Sequence, residues 1–403
     1  MLPKFLYSDF PSLSDHKTYA EIDTENLIYN YKLLSAAVPT ARKICTVKAD
    51  AYGHSAAICV PALLEAGCDF FAVSCIEEAI AVRQICNAEK KTADVLILGY
   101  TLPAQASLLA EHNVIQTVVS EEHALSLDRE AREQNCKVRC HIALDTGMNR
   151  VGLSAQRKSD CESAVRAVRA IRALPSLVTE GIFTHFAKAD EDSASVLKSD
   201  SHTKKQFARF CEVKRALENE GVRLFCHACN SAATVRFPEF ALDGVRLGIL
   251  LYGASPSEHI DAGVKPVLSL HTSVAHIHTL PSSETVGYGG RYSSSEDRLI
   301  ATLPIGYADG FQRAFQGFAV TVTTSEGNFK APVVGSVCMD QCMIDITGLP
   351  VRIGDHVTVF GSDPHDLSAL ARMANTIEYE ILCLTTARVP RIPRKRDNSI
   401  FGS

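Results

Sequence analysis

From about residue 40 to residue 255, short β-branched apolar runs alternate with longer stretches whose apolar residues recur at helical spacing. The runs are ICTVKA (44–49), FFAVS (70–74), VLILGY (95–100), VIQTVVS (114–120), VRCHIAL (138–144), LVTEGIFTHF (177–186), RLFCHAC (223–229) and DGVRLGILLYG (243–253). Ala56–Ala66 and Glu77–Ala88 are two of the amphipathic stretches between them. Strict β-then-α alternation through eight strands predicts an α/β fold with a closed (β/α)8 TIM-type barrel. An open doubly wound sheet is the weaker alternative, and no G-x-G-x-x-G opens a helix anywhere.

After Gly253 the period changes. SVAHIHTL, RLIATLPI, FAVTVTT, KAPVVGSVCM and HVTVFG are short runs separated by Gly, Asp and Ser turns, the pattern of an all-β unit. The expected division is a barrel over residues 1–260 and a C-terminal β-strand domain over 261–403, with Ser255–Val264 as the linker. There is no internal repeat and no low-complexity tract.

Composition narrows the function classes. In 403 residues, 41 Lys+Arg stand against 46 Asp+Glu for a net charge of −5, so no basic excess points to a nucleic-acid partner. No apolar run reaches the ~18 residues of a membrane span, and MLPKFLYSDFPSLSDHK mixes charges and prolines where a signal peptide has an apolar core, so a cytoplasmic location is expected. Fourteen cysteines lie scattered from Cys45 to Cys383, which fits reduced thiols. Cys226 and Cys229 form one C-x-x-C with no second pair at zinc spacing, so they read as core and no metal is expected. The basic tail RVPRIPRKRDNSIFGS reads as a solvated terminus.

In a barrel of this kind the chemistry sits at the carboxyl ends of the strands. Strand one ends in Lys48, strand five runs into DTGMNRVG with Arg150, strand six into THFAKAD with His185, strand seven into Asn230 and Ser231, and strand eight holds Arg246 and Gly248. A strand-end lysine with hydroxyl and backbone donors after strands seven and eight points to a phosphorylated cofactor. Singly, each of these residues is more often an ion-pair partner, a hydrogen-bonded core histidine or a turn. Their joint placement is what counts.

These segments also resemble the alanine racemase family. VKADAYGH, DTGMNRVG, THFAKAD, CNSAAT, RLGILLYG, VGYGGRY, LPIGYADGF, GSVCMDQ and TIEYE occur in family order between AEID (20–23) and RVPRI (388–392). The resemblance implies an isomerase that interconverts L- and D-alanine with pyridoxal 5'-phosphate (PLP), supplying D-alanine for peptidoglycan. Lys48 would bond covalently to PLP and act as the base on one face of the α-carbon. Tyr288, supplied by the second subunit of a homodimer with shared active sites, would act on the other face. His185, Arg246 and Arg150 are the cations or donors that a phenolate there would need. Arg246 would face the PLP ring nitrogen and leave it unprotonated. Tyr52, Asn230, Ser231, Gly248, Ile249 and Tyr379 would complete the cofactor site. Arg150 would hold the substrate carboxylate, with Met339 and Asp340 from the partner chain, and Tyr307 with Tyr379 would narrow the access channel toward a small side chain.

One departure stands out: Ala143 occupies the position where many family members have a lysine, often carbamylated, that orients the arginine. Asp50, Ser55 and Asn149 are milder departures. A serine or broad-specificity racemase is the alternative within the family. Decarboxylases of the same architecture lack the VGYGGRY tyrosine and pair the ring nitrogen with an acid, and the PLP-binding regulatory proteins lack a β domain.

Overall fold

Along each strand of the first half, side chains alternate between two apolar environments, and the computed structural model shows what those are. It describes residues 17–361 and 363–394, so the expectations for residues 1–16 and for the tail from residue 395 lie outside the described residues. Ile44, Phe70, Ala72, Leu96 and Ile115 point inward and form their own cluster in the barrel. Their neighbours Cys45, Phe71 and Val95 join the main core under the surrounding helices. A sheet covered on both faces must be apolar on both, which is why these runs are almost uninterrupted.

The strands are β1 (Tyr19–Ile22), β2 (Arg42–Thr46), β3 (Phe70–Val73), β4 (Asp94–Ile97), β5 (Ile115–Val118), β6 (Val138–Asp145), β7 (Leu153–Ser154), β8 (Leu177–Phe183), β9 (Phe225–His227) and β10 (Gly244–Leu247). β2 to β6 and β8 to β10 are the eight parallel barrel strands; β10 pairs with β2 and β5 with β6, so the sheet closes without an edge. Several strands stop earlier than the apolar runs suggest. β8 ends at Phe183, β9 at His227 and β10 at Leu247, which leaves Thr184–Phe186, Ala228–Asn230 and Gly248 beyond the last strand residues.

The second sheet contains β11 (Leu268–Ser273), β12 (His276–Leu280), β13 (Arg298–Leu303), β14 (Ala319–Thr324), β15 (Gly327–Val334), β16 (Cys342–Asp345), β17 (His356–Phe360) and β18 (Arg391–Pro393). β15 stops at Val334 because Gly335 turns the chain at φ +67°. One segment departs from a division at residue 260. β1 lies in this second sheet, antiparallel to β11 and parallel to β18. Among the described residues no helix is long and apolar enough to cross a membrane.

Candidate active site

Lys48 follows β2 directly and opens a turn of unusual hand. Ala49, Asp50, Ala51 and Tyr52 all have φ between 51° and 57°, and Gly53 follows at 80°. For L-residues this left-handed conformation costs about 1–2 kcal/mol each, so the surroundings must impose it. They do so by hydrogen bonds: Ala51 N–H donates to Val47 O (2.9 Å), Gly53 N–H to Ala49 O (2.9 Å), and Arg391 Nε–H to Gly53 O (2.9 Å). Lys48 is half-buried, and burial lowers its pKa first, reinforced by the positive charges of Arg150 and Arg246 and opposed by Glu78 and Cys383. A larger share of the amine is therefore neutral at working pH than in a free lysine.

Arg246 on β10 is buried inside the barrel mouth, and no carboxylate pairs with it among the described residues. Its terminal nitrogens are consumed by neutral acceptors: Thr184 O (2.7 Å), Ala228 O (3.0 Å), His227 Nδ1 (2.8 Å) and His185 Nδ1 (3.1 Å). Burial pushes its pKa down to about 10, so it is still a cation at neutral pH. A guanidinium only donates, so both histidines must present an unprotonated Nδ1 to it. His227 then carries its proton on Nε2 and donates to His141 Nδ1 at 3.0 Å. His185 likewise keeps its proton on Nε2. Burial first, then the charges of Arg246, Arg150 and Lys48, hold His185 well below the usual histidine range, so it offers a neutral donor and not a second cation. His141 and His227 were not singled out by sequence; the available signal was their inward parity in otherwise apolar strands.

Gly248 forms the floor of a concave space. A Cβ there would lie 3.0 Å from the Tyr52 hydroxyl and 3.6 Å from Ser231 Oγ. Gly248 N–H already donates to Ser231 Oγ (2.8 Å), which turns the serine O–H outward as the donor. Asn230 caps the helix Ser231–Arg236, accepting from Ala233 N–H and donating to Phe186 O, so its side chain shapes the site from behind. Ile249 is buried at the head of a 3₁₀ turn, and the rings of Tyr52 and Tyr379 stand 6.1 Å apart. The donor set fits PLP: an amine for the aldehyde at Lys48, hydroxyls of Tyr52, Ser231 and Tyr379 for the phosphate, and Arg246 Nε–H, which has no partner among the described residues, for a ring acceptor.

Arg150 stands on the loop after β6. Asp145 Oδ1 accepts the N–H groups of Gly147, Met148 and Asn149, each at 3.0 Å, and this nest sets where the arginine leaves the backbone. The guanidinium makes no hydrogen bond or ion pair within the described residues. It lines a cavity of about 270 Å³ with Lys48, Ala143, Thr184 and His185.

The remaining candidates lie elsewhere on the chain. Tyr288 is 73% exposed, and Tyr307 and Met339 are also exposed on the second sheet unit. Tyr307 N–H donates to Cys338 O and Ala308 N–H to Met339 O, so these two loops run together. Asp340 pairs with Arg388 (2.7 Å), which also holds the buried Asp309 (3.0 Å), two residues that sequence reading did not single out. Tyr288 lines a different depression, with His278, Thr285, Cys338 and Met343, away from the Lys48 cavity.

Comparison with known proteins gives a consistent result. The chain matches the family models described as alanine racemase, N-terminal domain, over residues 22–256, and alanine racemase, C-terminal domain, over residues 267–393. Alanine racemase 1 of Clostridium acetobutylicum is 38% identical over 382 residues, covering 93% of this chain and 94% of the relative. The alanine racemase of Clostridium perfringens is 39% identical over 390 residues, covering 95% and 96%. Among solved structures, the alanine racemase of Clostridium difficile superposes with a TM-score of 0.85 at 31% identity, covering 95% of this chain and 97% of that one. That of Bacillus anthracis with bound L-Ala-P gives 0.83 at 32% identity, covering 94% and 96%.

Proposed function

Because this chain belongs to the alanine racemase family, we propose that it interconverts L- and D-alanine by moving the α-proton between two bases, Lys48 on one face and Tyr288 of a second copy on the other. The observation that carries the reading is the shared cavity of Lys48, His185 and an unpaired Arg150. At about 270 Å³ it lies just below the ~300–1,000 Å³ of drug-sized ligand sites, which suits an amino acid with a short side chain. When bound, PLP supplies the electron sink that lets an amino-acid α-C–H ionise.

The protein residues then set the outcome. Arg150 binds and orients the substrate carboxylate, because a free guanidinium fork matches it. Arg246 can donate a hydrogen bond from Nε but, with a pKa of about 10, keeps its proton at neutral pH, so a ring nitrogen facing it would stay unprotonated. That keeps the sink weak and favours simple proton return over decarboxylation. Lys48 holds or releases the proton at Nζ, helped by its lowered pKa. Tyr288 does the same at its hydroxyl once a partner chain brings it in, and its exposure on an isolated chain supports a homodimer with shared sites. Met339 and Asp340 of the partner, with Tyr307 and Tyr379 at the channel, restrict side-chain size. The same reading assigns PLP chiefly to the unit through residue 260, with Tyr379 added from the unit from 261, which also carries the partner-facing residues. It also places the enzyme in the cytoplasm, feeding D-alanine to peptidoglycan.

Racemisation measured on L-alanine, L-serine and L-lysine tests this, with alanine expected to show the highest kcat/KM. A serine value above the alanine value would replace this reading with the serine or broad-specificity one. Borohydride reduction of the loaded enzyme followed by peptide mapping should leave the pyridoxyl group on Lys48, and modification of another lysine would overturn the site.

A further inference from the structure

The left-handed turn after Lys48 has a support from outside its own segment. Glu78, in the first turn of the helix Ile76–Ala88, sends its two carboxylate oxygens to two different strand ends. Oε2 accepts from Ser74 N–H (2.8 Å) and Ser74 Oγ–H (3.0 Å), at the exit of β3. Oε1 crosses to the exit of β2 and accepts the N–H of Ala49 at 2.6 Å, on the residue next to Lys48. A local bond back to the residue before the N-cap accounts for the first oxygen, one position short of a capping box. It does not explain the second, which ties down the first residue of the strained turn. Ser74 and Lys48 line the same cavity, so the carboxylate clamps two sides of one site.

The geometry points to Glu78 as a positioning residue for Lys48: its carboxylate fixes the left-handed turn through Ala49 and so sets where the lysine amine stands. This rests on Lys48 being the reacting amine, as proposed above. Other charged or titratable groups face that amine as well: Arg150 from the loop after β6, His185 beyond β8, Arg246 from β10, and Cys383 from the helix Glu378–Leu384. Tyr52 contributes a ring whose centroid is 6.0 Å from Nζ. Among the described residues, Glu78 is the carboxylate that acts on this amine, and its charge opposes those of the two arginines.

Two readouts separate positioning from mere folding, and the first needs no cofactor. The ionisation of Lys48 in the apo-protein is measured by pH-dependent acetylation with acetic anhydride and peptide mass spectrometry. In Glu78→Gln the midpoint should move down, because the arginines act unopposed. In Glu78→Asp the charge remains and the midpoint should hold. In the loaded enzyme, Glu78→Gln should lose kcat on the order of 100-fold with little change in KM, the signature of a displaced reacting group that binds no substrate. Glu78→Asp should recover part of that loss. A Glu78→Gln midpoint that stays put or rises toward that of a free lysine, or an unchanged kcat, overturns the proposal. Should Glu78→Gln fail to fold, Glu78→Asp decides alone: a held midpoint with lowered kcat supports positioning, and wild-type kcat refutes it. If the wild-type protein does not racemise alanine, the function proposed above fails while the acetylation midpoint still reports on Glu78.

Discussion

Arg246 is a cation held by carbonyl oxygens and imidazoles where a carboxylate would be the cheaper partner, and that choice fixes much of the chemistry around it. An acid at this place would protonate a facing ring nitrogen; an arginine would leave it unprotonated, and Arg246 also dictates the tautomers of His185 and His227. Ala143 is the opposite case, a residue defined by what its side chain cannot do. It is buried and lines the cavity beside Arg150, but it has no amine to carbamylate. Adding or stripping bicarbonate should therefore leave the rate of racemisation unchanged, and a marked dependence would place a carbamylated group elsewhere in the site. Lys48, Arg150, His185 and Arg246 were legible because each lies at or shortly past the end of a strand, in a fold whose chemistry lies at strand ends. Glu78 and His141 were not, since an acidic residue at a helix start and a histidine inside a strand have ordinary local explanations. Only the tertiary fold shows what they touch.

Among the elements, the loops carrying Tyr307 and Met339 fit closely. Gly306 sits where a Cβ would come within 2.3 Å of Cys338 O and 2.4 Å of Met339 O, so the two loops touch through bare backbone. The buried Asp309 accepts from Gly306 N–H (2.9 Å), and Arg388 bridges Asp309 to Asp340. Gly306→Ala should force the loops apart at a cost of about 1–3 kcal/mol, as for other overpacked sites. Urea unfolding should show that loss, and the ratio of alanine to serine kcat/KM should fall as the channel widens. An unchanged ratio would mean that these loops do not filter the substrate. The barrel strands were legible at this scale because eight apolar runs recur with helical spacers. β1, β11, β16 and β18 did not stand out. β1 (YAEI) and β18 (RIP) carry charged residues in place of an apolar run, and their partners lie far away in the chain.

At the scale of the whole molecule, the two proposed bases belong to different units of the chain, so one site would draw on two copies. Mixing Lys48→Ala with Tyr288→Phe chains tests this, since each variant should be inactive alone. After random exchange half the dimers are mixed, and one of the two sites in each has both bases, so about one quarter of wild-type activity should return. Exchange confirmed by mass with no activity regained would show that Tyr288 acts within its own chain or not at all. The placement of β1 has a consequence in time as well as space. Thr18, at its edge, bonds Thr272 at 3.0 Å across 254 positions of sequence. At a synthesis rate of roughly 5–20 residues per second, that partner leaves the ribosome on the order of tens of seconds after β1 does. Through that interval β1 stands with unpaired N–H and C=O groups, an open edge exposed to other chains, and the last barrel strand, β10, is made only shortly before β11. The second sheet is thus completed after the barrel strands have all been made, from segments far apart in the order of synthesis.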